Sequence, residues 1–125
     1  MSDHLQQLYQ QALVWDAHAV VFPSPQVDLN LLDEWQVAGA SYLSLNVGFD
    51  VMDWLQTLKT LAAYRHWLLA QTGEFMLVGS LEDIDLARQA GKLAISFDIE
   101  GMNALNGYRR KAFGARRACD KHSTY

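Results

Sequence analysis

Apolar side chains at Leu5, Leu8, Tyr9, Ala12 and Leu13 recur at helical spacing behind Ser2 or Asp3 as the N-cap, so the chain is predicted to open on a short helix. The compact apolar run of residues 13–15 ends on Asp16, Ala17 and His18, as a strand does when it delivers polar groups at its C-terminal end. Pro23 and Pro25 remove backbone donors and fix the backbone angles, which makes residues 22–26 a loop. Asp28 can cap a second helix whose apolar positions Leu31, Leu32, Trp35 and Val37 run to a left-handed stop at Gly39. Residues 41–47 alternate enough for a second strand. Asp50 followed by Asp53 has the spacing of a capping box, and Val51, Trp54, Leu55, Leu58, Leu61, Ala62, Trp67 and Leu68 mark the apolar face of a long helix ending near Gly73. A short strand at residues 75–78 leads to a helix capped by Ser80 and Asp83, carrying Ile84, Leu86 and Ala87 and closed by Gly91. Residues 93–99 form a strongly apolar last strand, ending at Glu100 and Gly101.

One helix followed by alternating strands and helices with short connections predicts an α/β fold, a parallel sheet with covering helices. The sheet can stay open and doubly wound or be part of a (β/α) barrel. Four strands suit a small open sheet and are half of the eight in a barrel, which needs about 250 residues. The four tryptophans, Trp15, Trp35, Trp54 and Trp67, fall on apolar faces and are read as core.

Composition narrows the class. With 125 residues, 50% hydrophobic and 19% charged, the chain suits a soluble globular domain. No apolar stretch approaches the roughly 20 residues that cross a bilayer, and the start lacks a signal-peptide layout, so no membrane partner and a cytoplasmic location are expected. The single cysteine, Cys119, excludes an internal disulfide and cysteine-rich zinc modules. Residues 1–107 hold 13 acidic and 4 basic side chains, a formal −9, whereas residues 108–125 hold 1 acidic and 6 basic ones, a formal +5. Hydrophobic periodicity stops at the same place. The expected organisation is therefore a body, 1–107, and a basic tail, 108–125, the latter a loose terminus, an acidic-partner contact or sequence outside the parent reading frame.

Polar groups gather at the strand ends, where α/β folds place their sites: Asp16 and His18 after the first, Asn46 after the second, Asp98 and Glu100 after the last. Imidazole and carboxylate are the donors a zinc site uses, although a histidine at a strand end is commonly structural. A carboxylate after an apolar strand is costly to desolvate unless a cation or donor meets it, which favours Glu100, whereas Asp98 can be satisfied by backbone amides. His66 falls on a helix surface, His4 has no assigned role, and the Cys119-x-x-His122 pair is too isolated to count. Nucleotide-binding, nucleophile-elbow and H-E-x-x-H motifs are absent from the sequence.

Val14-Trp-Asp-Ala-His18, residues 40–54 and above all residues 95–105 resemble the N-terminal part of the membrane (renal) dipeptidases, peptidase family M19, over about residues 13–107. The resemblance implies the first half of a TIM-type (β/α)8 barrel related to the amidohydrolases and a two-zinc site that hydrolyses dipeptides with a metal-bound hydroxide. It makes His18 a ligand of the first zinc, Glu100 the catalytic carboxylate bridging both ions, and Asp16 a residue of the metal site that supports it. Val20 stands where the family's D-x-H-x-D stretch has its second aspartate, and the family's later histidine ligands match nothing here. The implied activity is that of a zinc metallodipeptidase, with this chain by itself truncated and inactive. A half barrel would expose strand edges and is expected to self-associate or aggregate. The alternative is a non-catalytic α/β module whose basic tail binds an acidic partner or nucleic acid, against which stands the acidity of the body.

Overall fold

The elements that begin at Leu29, Trp54 and Leu81 each start where a side chain satisfies an amide that a helix start leaves free. In the computed structural model, which describes residues 3–102, α1 spans Asp3–Gln11 and is followed by β1, Trp15–Ala19. Strand β1 starts later than the apolar run 13–15 suggests and includes both Asp16 and His18. Asp28 caps as expected, its carboxylate accepting the Asn30 amide, but the helix it starts is divided into a 3-10 turn, Leu29–Leu32, and a short α2, Asp33–Val37. The tighter turn brings Leu29 and Leu32 inward together, both buried.

Strand β2, Tyr42–Asn46, leads to α3, Trp54–Ala70. The capping box of α3 is Asp53 with Gln56, each side chain bonding the other's backbone amide, rather than Asp50 with Asp53. Asp50 instead accepts the amide of Met102, at the far end of the described chain. Strand β3, Phe75–Leu77, is followed by α4, Leu81–Gln89, whose Ser80 and Asp83 box forms as the sequence indicates. The Gly79 and Ser80 amides hold the Asp83 carboxyl below its ordinary value. Strand β4, Leu93–Asp98, completes the described elements.

All three strand pairings are parallel, in the order β1-β2-β4-β3, so the fold is α/β with four parallel strands and covering helices. A barrel wound strictly in sequence would set β3 between β2 and β4. Here the short β3 lies outside β4, and its ladder ends at Leu77 opposite Ile95, while the ladder with β2 continues to Asn46 opposite Asp98. The C-terminal half of β4 therefore has a strand on one side among the described residues.

Side chains alternate across a strand, and the sheet uses both faces. One face carries Leu43, Leu45, Leu93, Ile95 and Phe75 against Tyr64 and Leu68 of α3 and against Leu29 and Leu32. On the other, Ala94, Tyr42, Met76 and Val78 meet Ile84 and Ala87 of α4. Because α4 covers the N-terminal half of that face, its C-terminal half is left for polar groups.

The sequence misreads one helix face. The side of α3 that turns inward is Thr57, Thr60, Tyr64 and Leu68, all at 2% exposure or less, whereas Trp54, Leu55 and Leu58 are exposed. Apolar side chains are spread around α3 with polar ones among them, so periodicity does not single out its buried side. Trp15 and Trp54 are likewise corrected from core to exposed, at 46% and 42%, while Trp35 and Trp67 pack against the core. No helix among the described residues is long and apolar enough to cross a membrane. The boundary at Gly107, the basic segment 108–125, Cys119 and His122 lie outside the described residues.

Replacing Asp53 by Ala removes the helix cap and should lower unfolding free energy by about 1 kcal/mol in urea titration. Burial pushes the Tyr64 phenol above its ordinary 10.0, partly opposed by the Ser24 backbone. The folded state thus holds that proton more tightly than the unfolded chain, and the associated stability is present below pH 10.0 and lost as pH rises toward the raised folded value. The stability of Tyr64→Phe should fall less steeply across that alkaline range than that of the parent.

Candidate metal site

Residues two apart share a face of a regular strand, which would group Asp16 with His18. The register shows why they separate: Trp15 and Asp16 lie opposite Tyr42 and Leu43, yet Ala19 lies opposite Leu45, so a bulge inserts one extra residue into β1. Asp16 keeps the face of Leu43, where its Oδ2 accepts the Trp35 indole N–H at 2.9 Å and its Oδ1 accepts the His18 backbone amide at 3.2 Å. The His18 ring is carried to the opposite face, to Asp98.

That face is polar in pairs. Ser44 lies opposite Ser96 and Asn46 opposite Asp98 in register, each pair on the side that α4 leaves uncovered. The Asp98 carboxylate accepts from two side chains, Ser44 Oγ to Oδ2 at 2.7 Å and Asn46 Nδ2 to Oδ1 at 2.9 Å, and its Oδ1 lies 3.0 Å from His18 Nδ1. The sequence reading that backbone amides satisfy Asp98 is thus corrected, because β4 gives its own amides to the ladder and the side chains of β1 and β2 reach the carboxylate instead. Asn46 is fully buried, and its Oδ1 accepts the Gly48 amide at 3.1 Å.

Glu100 is set by the backbone. Its amide donates to Gly48 O at 2.8 Å, extending the β2–β4 union past the strand end. Gly101 follows at φ +84, where a Cβ would overlap the Asp50 carboxylate, so this turn requires glycine. The Glu100 side chain is 64% exposed, and its Oε2 lies 3.6 Å from His18 Nε2. Of the three residues singled out from sequence, His18 and Glu100 come together and Asp16 lies across the sheet. Ser44 escaped the sequence reading, although the i, i+2 recurrence of Ser44 with Asn46 and of Ser96 with Asp98 in apolar strands signals a polar face.

The pair fits a zinc ion as two of its donors. Nitrogen and oxygen ligands bind zinc at about 2.0–2.1 Å, which puts two tetrahedral ligands roughly 3.3 Å apart, close to the observed separation. Among the described residues, no group of three or more His, Cys, Asp or Glu is gathered that could hold a metal ion. Below the pair on the same face lies an open cavity of about 300 Å³, lined by Tyr42, Ser96, Val78, Gly79, Leu81 and Ile84, with Tyr42 Oη bonded to Ser96 Oγ.

The buried and exposed halves of this cluster should respond differently to substitution. Asn46→Ala leaves Asp98 and the Gly48 amide each short of a partner and is expected to cost about 2 kcal/mol of stability. Glu100→Gln, at an exposed position, should stay within about 0.5 kcal/mol of the parent in the same thermal or urea assay.

The fold is shared with a known protein. No protein-family model matches the chain, and no curated protein sequence matches it. The solved structure of an amidohydrolase from Pseudomonas aeruginosa superposes with a TM-score of 0.67 at 17% identity, covering 81% of this chain and 30% of that one. The chain therefore spans under a third of the amidohydrolase's length, and what the likeness establishes is its architecture: an α/β fold matching a fragment of an amidohydrolase, consistent with half of a TIM-type barrel.

Proposed function

We propose that this chain supplies part of the metal site of a zinc-dependent dipeptidase of the M19 type, with His18 and Glu100 as the ligands it contributes and Glu100 as the carboxylate shared between two zinc ions. The observation that carries the reading is the pairing of an imidazole nitrogen with a carboxylate oxygen at a strand mouth, 3.6 Å apart and open to solvent. The Glu100 side chain is exposed, and His18 Nε2 faces it while His18 Nδ1 is engaged by Asp98. Amidohydrolase-like architecture and the resemblance of residues 14–18 and 95–105 to that family support the same chemistry.

Zinc bound there would polarise the scissile carbonyl and lower the pKa of a coordinated water toward neutrality. This chain's residues supply the rest. His18 and Glu100 fix the ion at the strand ends, and Asp16 bonds the His18 backbone amide from across the sheet. The neighbouring cavity, small and floored by Val78, Leu81 and Ile84, suits one side chain of a dipeptide. Val20, 55% exposed, offers no donor atom where the family pattern has an aspartate, so the first zinc would draw its remaining ligands from other residues.

Zinc titration followed by calorimetry tests the assignment. The chain should bind zinc, and His18→Ala and Glu100→Gln should each weaken binding at least tenfold without altering the fold. Dipeptide hydrolysis, where measured, should disappear with a chelator and return with zinc. Zinc affinity indifferent to both substitutions, or hydrolysis that survives chelation, would overturn the proposal.

A further inference from the structure

We propose that Asp98 is a positioning residue that fixes the tautomer of His18, keeping the proton on Nδ1 and the Nε2 lone pair bare toward Glu100, so that the site is aimed at a divalent cation before any cation arrives. This deepens the zinc reading above and rests on it for the identity of the cation.

The donor direction at Asn46 and at Asp98 Oδ1 follows from one backbone amide. Gly48 N–H can only donate, and it donates to Asn46, so the atom of Asn46 that faces it is the carbonyl Oδ1. The other end of that buried amide is then Nδ2, which can only donate, and its partner at 2.9 Å is Asp98 Oδ1. Asp98 Oδ1 is thereby an acceptor, and the Ser44 hydroxyl, 2.7 Å from Oδ2, donates to the second oxygen. Each oxygen of Asp98 thus already faces a donor. His18 Nδ1, 3.0 Å from the same Oδ1, must therefore bring the proton to that contact. A neutral imidazole protonated on Nδ1 has its lone pair on Nε2, the nitrogen that faces Glu100.

The same geometry assigns Asp98 its role. Its oxygens are engaged by residues of β1 and β2, and the carboxylate sits at the inner end of the pair rather than beside Glu100. It acts through His18 and is not itself a ligand, the arrangement in which a carboxylate orients a metal-binding histidine. Two devices bring the partners into range: the bulge in β1 turns His18 to this face, and the β2–β4 register sets Asn46 beside Asp98.

Nitrogen NMR of the full chain with labelled histidines, metal-free and at a pH where imidazole is neutral, reads the tautomer directly, with the His18 signals identified by their loss in His18→Gln. The parent should show Nδ1 protonated and Nε2 bare. An Nε2-protonated ring or an even mixture overturns the inference without any further variant. In Asp98→Asn the amide can present either atom to the ring, so the preference should be lost and zinc affinity should fall about 10- to 100-fold. Retention of both in that variant would also overturn it. Zinc added to the parent separates the two claims: a bare Nε2 that zinc leaves unmoved keeps the positioning role and removes the zinc reading, whereas zinc binding to a ring with the other tautomer does the reverse.

Discussion

A carboxylate three-quarters withdrawn from water has to be met by donors, and Asp98, whose side chain is 26% exposed, is met by side chains from two other strands. His18 comes from β1, Ser44 and Asn46 from β2, and Asp98 itself from β4, so one charged group ties together the three strands whose ends form the site. Removing any one donor leaves a charge short of its partners, a larger penalty than the loss of one neutral hydrogen bond. The cluster is held by these bonds and by the β2–β4 ladder beneath it. The loop behind it is stitched in turn, with Glu100 bonded to Gly48 and Met102 to Asp50.

The polar face exists because the helices divide the sheet unevenly. Helix α3 and the 3-10 turn cover one face along its length, and α4 covers the N-terminal half of the other. The remaining quarter of the sheet surface, at the C-terminal ends of β1, β2 and β4, is where His18, Ser44, Asn46, Asp98 and Glu100 collect. Strand β3 ends its ladder at Ile95, short of Asp98, and so does not close the site from its side. The carboxyl ends of parallel strands are where such sheets generally place their sites, and these five polar residues lie there.

Much of this was legible in the sequence, and the failures have physical causes. The strands were found because β4 and β2 are apolar runs bounded by turn signals, and α4 because Ser80 and Asp83 form the cap their spacing indicates. The 3-10 turn was not, since Leu29, Leu31 and Leu32 satisfy a looser periodicity equally well. Helix α3 hid its inward face because Trp54, Leu55 and Leu58 look like core while Thr57 and Thr60 are the residues buried. Of the site, His18 and Glu100 were identifiable by type and position. The separation of Asp16 was not, because a bulge is a property of strand pairing that no local pattern carries. Nor was the role of Asp98 visible, since its partners lie 52 to 80 residues away in the chain.

If His18 and Glu100 hold zinc as proposed, with Asp98 orienting the imidazole, both belong to the first shell of the ion. X-ray absorption spectroscopy at the zinc edge on the zinc-loaded protein tests it most directly. The expected first shell contains one imidazole nitrogen and carboxylate oxygen at about 2.0–2.1 Å, with the imidazole contribution lost in His18→Ala. A shell of oxygen alone, or an imidazole signal that persists in that variant, would contradict it.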